Sequence, residues 1–181
     1  YGGVPPFDRV KVADFRAAWD AAMAQELSAI DAIADNPAAP PFENTIGALE
    51  RAGEAGDRVG TIYNIWTGTL STPELRTIEK EVEPRLAAHR DQILQNEKLF
   101  KRIEAVYEAR DKAGLTPEQQ RLAWVRWNAF VRAGAKLSPA AKARVAEINK
   151  ALAGLFTTFN QNLLADETDY VLYLDEKDLS G

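Results

Sequence analysis

Apolar residues recur at three- and four-residue intervals along almost the whole chain, the repeat of one helix face rather than of a strand. The first such segment runs from about Val12 to Ala34, with Phe15, Trp19, Met23, Leu27 and Ile30 on one stripe. It stops before Asn36-Pro37-Ala-Ala-Pro-Pro41, because closely spaced prolines lack the amide donor that a helix needs. A second helix is predicted from Asn44 or Thr45, either of which can cap it, to about Gly68. Its inner face carries Ile46, Leu49, Val59, Ile62, Tyr63 and Trp66. Ala52, Gly53, Gly56 and Gly60 leave little side chain there. Glycine costs about 1 kcal/mol in a helix interior, so this run predicts close approach by a neighbouring element.

The third helix opens with Ser71-Thr72-Pro73-Glu74, where Ser71 and Glu74 have capping-box spacing and Pro73 suits the first turn. Leu75, Ile78, Val82, Leu86, His89 and Ile93 continue its stripe, and Pro84 inside the run predicts a kink. A fourth helix spans about Glu97 to Lys112 and ends at Gly114, a left-handed cap. Thr116-Pro117-Glu118-Gln119 opens a fifth that runs to about Ala133. Ser138-Pro139 opens the sixth and longest, with Val145, Ile148, Leu152, Leu155, Phe156, Phe159 and Leu163 on its stripe.

The pattern changes after Asp166. Asp169-Tyr-Val-Leu-Tyr-Leu-Asp175 reads as a short strand, and no second strand is in sight to pair with it. The expectation is an all-α protein of about six helices in an antiparallel array, with one C-terminal strand left unpaired by truncation. Residues 1–11 form an extended segment, 12–165 the helical domain, and 166–181 the start of a following segment. No fixed-period repeat suggests a solenoid.

Composition narrows the function. The 181 residues suffice for one domain with its own core. There is no cysteine, which excludes disulfides, thiolate metal sites and a cysteine nucleophile. The net charge of −5 is spread along the chain without a basic cluster, so nucleic acid is not an expected partner. No apolar stretch approaches the ~18 residues of a membrane span. The chain is expected to be a monomer. It begins at Tyr1-Gly-Gly-Val-Pro-Pro6 without methionine or a signal-peptide pattern, which reads as a processed or excised piece. Cytoplasm and periplasm are both compatible with this composition.

The search for chemistry finds no complete catalytic or metal site. His-Glu-x-x-His is absent, as are phosphate loops and the Gly-x-Ser-x-Gly elbow. His89 is the single histidine; imidazole can act as a base or ligand, but its place on an apolar stripe points to packing. Glu79 and Glu83 share a helix face, with Glu81, Lys80 and Arg85 nearby, and read as a solvated charged face more than a carboxylate site. Asp166, Glu167 and Asp169 read the same way. Tyr63 with Trp66, and Trp124 with Trp127, are aromatic pairs three residues apart. Aromatics at that spacing usually belong to a core; as an alternative, these four residues could line a ligand groove.

Several segments together carry a resemblance. Pro41-Phe-Glu-Asn-Thr-Ile46 with Ala48-Leu-Glu50 resembles the N-terminal signature of the thimet oligopeptidase-like zinc metallopeptidases, and within them the bacterial peptidyl-dipeptidases (dipeptidyl carboxypeptidases). Pro6-Phe-Asp8, Thr72-Pro-Glu-Leu75 and Ala87-Ala-His-Arg-Asp91 follow the same order, as do Phe130-Val-Arg-Ala-Gly-Ala-Lys-Leu137, Ile148-Asn149 and Phe159-Asn-Gln-Asn-Leu-Leu164. The resemblance spans essentially the whole chain. It implies a helical ellipsoid split by a channel, with zinc held by a His-Glu-x-x-His helix and a downstream glutamate, all beyond residue 181. This chain would then contribute part of the channel wall, with Tyr63, Trp66, Trp124 and Trp127 as candidate lining residues and no catalytic or metal residue of its own. Its expected partners are the missing C-terminal catalytic domain and, in the full enzyme, short peptides; zinc is a cofactor of the full enzyme only. The alternative is a stand-alone helical interaction module without activity, and a weaker one is a small hydrolase built on His89 and the glutamates.

Overall fold

The computed structural model describes residues 4–70 and 72–169, together with Leu172, Leu174, Asp175 and Asp178. Its helices are α1 (Asp14–Ala34), α2 (Ala48–Ala52), α3 (Glu54–Thr69), α4 (Pro73–Leu94), α5 (Glu97–Ala109), α6 (Pro117–Arg132) and α7 (Pro139–Asp169), with a π-helical turn over Glu43–Gly47. The π turn, α2 and α3 occupy the single second helix that periodicity predicts. With those three counted as one interrupted helix, the described residues form six.

The interruption has local causes. Asn44 and Thr45 cap nothing, because both lie within the π turn and their side chains are engaged by a distant partner, Arg102. Gly53 then separates α2 from α3. Other ends follow local chemistry. Thr116 and Gln119 form a reciprocal capping box at the start of α6, satisfying two orphan backbone groups. At α4 the cap is Thr72, which accepts from the Leu75 amide; Ser71 lies outside the described residues. Pro84 sits inside α4, which stays continuous from Pro73 to Leu94 with Ile78 and Val82 fully buried on its inner side. Gly114 has φ +66°, the left-handed conformation expected there.

The end of α6 holds a Schellman turn. Ala135 N–H donates to Phe130 O at 2.9 Å and Gly134 N–H to Val131 O at 3.0 Å, while Gly134 takes φ +95°. The strand expected over 169–175 is not seen among the described residues. Asp169 ends α7, and Leu172, Leu174 and Asp175 lie outside any regular element; 170, 171 and 173 lie outside the described residues. The physical reason is that an extended segment becomes a strand only when a second one completes its ladder.

Burial divides into two apolar clusters. One gathers Phe15, Trp19, Ala22, Tyr63, Leu75, Ile78 and Val82 from α1, α3 and α4. The other gathers Ile30, Ile33, Ile46, Ile93, Leu99, Phe100, Ile103, Val106 and Phe130 from α1, the π turn, α4, α5 and α6. The first half of α1 serves one cluster and its second half the other. Small residues at the start of α3 and within it admit α1 closely: a Cβ at Gly60 would lie 3.4 Å from Trp19, and one at Gly53, just before α3, 3.5 Å from Glu26.

Side-chain pairs give the helix directions. Arg16 meets Glu81, Asp20 meets Arg85 and Glu26 meets His89, so α1 and α4 run side by side in the same direction. A uniformly antiparallel array does not describe this pair. Between α4 and α7 the order reverses: Asp91 meets Asn149, while Glu79 meets Gln161.

Candidate functional site

The seam between the two clusters holds the one histidine. Glu26 lies on α1 between Ala22 of the first cluster and Ile30 of the second, and α4 presents His89 to it. His89 Nε2 and Glu26 Oε2 are 2.8 Å apart, and the His89 side chain is only 10% exposed. The opposite ring nitrogen, Nδ1, is buried with no hydrogen-bond partner among the described residues. Two clefts flank this pair. One, about 570 Å³, is bordered by Trp19, Met23, Gly56, Gly60 and Asn64. The other, about 340 Å³, reaches Glu50, Arg126 and Phe130.

These clefts carry carboxylates and the imidazole but no hydroxyl set beside a base. Their one hydroxyl, on Thr61, donates to the Asp57 carbonyl at 2.8 Å and is a helix-internal bond rather than a nucleophile beside a base. The residues present do not fit zinc either. A protein zinc site takes three or four converging nitrogen, sulfur or carboxylate ligands, and no group of three or more His, Cys, Asp or Glu residues converges among the described residues.

The glutamates of α4 separate by face. Arg16 donates to both Glu81 oxygens, at 2.6 and 3.0 Å, which holds that carboxyl below the usual carboxylate range. Glu79 accepts from Gln161 Nε2 at 2.7 Å. Burial pushes the Glu83 carboxyl above its usual range, with Glu79 four residues away adding repulsion against an opposing influence from Tyr63. Burial likewise raises the Tyr63 phenol, whose oxygen lies beside Glu83 without a directed hydrogen bond. Asp166 and Glu167 are exposed in the last turns of α7.

The four candidate aromatic residues do not share one surface. Tyr63 is 1% exposed, edge-on to Phe15 at 5.3 Å and to Trp19 at 5.7 Å. Trp66 is half-buried against the same cluster. Trp127 stacks on Tyr107 with centroids 4.2 Å apart, against the second cluster. Trp124 is half-buried with the Arg121 guanidinium 4.2 Å above its ring.

Periodicity did not reveal the polar clamps between helices. Arg102, 8% exposed, donates to the carbonyls of Asn36 and Ala38 at 2.8 and 2.9 Å and to Asn44 Oδ1 at 3.0 Å. Asn44 in turn donates to the Ala39 carbonyl at 3.0 Å, so the proline-rich loop is tied to the π turn. Asn149 Nδ2 donates to Asp91 Oδ1 at 2.7 Å, and Arg126 donates from Nε and Nη2, one edge of its guanidinium, to the two oxygens of Glu50. The available signal was position. Asn44, Thr45, Glu50, His89, Asp91, Asn149 and Gln161 all fall in the short segments that carry the family resemblance.

Comparison with known proteins decides the family. No family model matches the chain. It is 39% identical over 161 residues to a dipeptidyl carboxypeptidase of Salmonella typhimurium (strain LT2), and 40% identical over 161 residues to the dipeptidyl carboxypeptidase of Escherichia coli (strain K12). Each match covers 89% of this chain. A probable cytosolic oligopeptidase A of Arabidopsis thaliana is 25% identical over 178 residues, 98% of this chain. The chain belongs to the thimet oligopeptidase-like family. It spans about a quarter of the length of these curated relatives, 24% of each bacterial protein and 25% of the plant one. In this thimet oligopeptidase-like chain, the segments that carry the resemblance supply bonds between helices.

Proposed function

We propose that this chain is a noncatalytic helical domain of a zinc-dependent peptidyl-dipeptidase, which removes dipeptides from the C-termini of short peptides. In this reading its helices form part of the wall of the substrate channel, in an array that is antiparallel apart from the α1–α4 pair. The zinc, its ligands and the catalytic base belong to the rest of the longer protein. The observation that carries the reading is the use made of the resembling segments: His89 pairs with Glu26, Asn149 with Asp91 and Gln161 with α4, so these residues hold helices together. The similarity to two dipeptidyl carboxypeptidases over a quarter of their length supports the same division of labour.

The test compares two proteins on one blocked peptide. The longer protein containing this chain should release C-terminal dipeptides, lose that activity to a chelator and regain it with zinc. The 181-residue chain should release none with zinc supplied. Hydrolysis by the short chain, or a longer protein without a His-Glu-x-x-His helix, overturns the proposal.

A further inference from the structure

The longest helix is attached by its polar residues and leaves its apolar stripe uncovered. On α7, Ile148, Leu152, Leu155, Phe156, Phe159 and Leu163 are between 43% and 66% exposed. Single exposed apolar side chains are ordinary on a protein surface; six on one helix face are not. The bonds that hold α7 to the body are polar: Asn149 to Asp91, Gln161 to Glu79 and the Arg76 carbonyl, and Lys142 to Glu97. Beside the stripe, Leu152 and Phe156 border a groove of about 520 Å³ whose other wall includes Leu86 and Leu94 of α4.

The chemistry of the surface limits what can cover it. Residues 151–164 contain no Asp, Glu, Lys or Arg, so the stripe itself offers a charged partner nothing to pair with; the charges of the adjoining groove, Glu83, Arg90 and Asp91, sit on its α4 wall. Asp166, Glu167 and Asp169 follow directly, and an acidic border disfavours an anionic lipid surface. About three quarters of the length of the bacterial relatives lies outside the match. A tethered segment of that size meets the stripe at high effective concentration, which a separate molecule does not.

We infer that the apolar stripe of α7 and the adjoining α4–α7 groove form the docking face for an apolar surface in the remainder of the longer protein. The inference rests on the reading that this chain is one part of a larger peptidase. It places the junction between the parts on α7 rather than on the His89 clefts.

The experiment places a photo-crosslinking phenylalanine analogue at position 159 of the longer protein. Crosslinks within one molecule, mapping to residues outside the 181 described by this sequence, are expected. Crosslinks to a second copy, to lipid, or none at all overturn the assignment. A second measurement uses Leu155→Ser combined with Phe159→Ser. The thermal midpoint of the 181-residue chain should stay within about 1 °C, while that of the longer protein should fall by several degrees. Equal shifts in both, or none in the longer protein, also overturn it. Dipeptide release by the unsubstituted longer protein is measured alongside. Activity with crosslinks to another copy removes the docking assignment alone; internal crosslinks without activity remove only the peptidase reading.

Discussion

His89 Nε2 on α4 lies 2.8 Å from Glu26 Oε2 on α1, and this bond closes the seam between the two apolar clusters. The imidazole that invites a catalytic reading is thereby part of the scaffold. His89→Ala should destabilise the chain by about 2–3 kcal/mol, from the cavity and from a carboxylate left without its partner. Urea unfolding measures the loss. A double-mutant cycle with Glu26→Gln should show coupling of about 0.5–3 kcal/mol; independent effects would mean the contact does not act as a pair.

Arg102 should prove one of the most sensitive positions. Arg102→Ala strands the carbonyls of Asn36 and Ala38 and the side chain of Asn44. The expected loss is about 3 kcal/mol, since a fully buried acceptor left unmade costs about 1–3 kcal/mol and these three are partly buried. Arg102→Lys should recover only part of it, because an ammonium cannot reproduce the guanidinium fork. Amide exchange over residues 36–47 should speed up in both variants.

Two glycines should respond in opposite directions. Gly154 lies in the middle of α7 with nothing within 4 Å of an added Cβ, so Gly154→Ala should stabilise by about 1 kcal/mol. Gly134 has φ +95°, and an added Cβ would come within 2.6 Å of Leu137. Gly134→Ala should therefore destabilise by about 1–2 kcal/mol or more. Thermal unfolding of the two variants side by side checks both signs.

Glu83 gives a pH dependence with a definite sign. Burial raises its folded-state pKa above the unfolded value, so the folded chain holds this proton more tightly. Its ionisation therefore opposes folding as pH rises through the ordinary carboxyl range and above. Glu83→Gln should raise stability at pH 7, and the advantage should shrink as pH falls below the unfolded value. An advantage that grows toward acid pH contradicts the assignment.

The chain's own periodicity determined the helices, because a stripe at three- and four-residue spacing can bury only one face of a helix. Local chemistry likewise marked the Thr116 capping box and the left-handed Gly114. The run of small residues from Ala52 to Gly60 announced a close neighbour, which proved to be α1 with Trp19 and Glu26. Tertiary structure decided what depends on distant partners. Arg102 draws Asn44 and Thr45 away from a helix cap and into a π turn. The α1 pairs select the parallel partner α4, and Tyr63 and Trp127 go to separate clusters. Periodicity marks the apolar stripe of α7 as readily as that of α1, yet one is buried and the other bare. Spacing records which residues share a face, whereas burial depends on what is present to cover it.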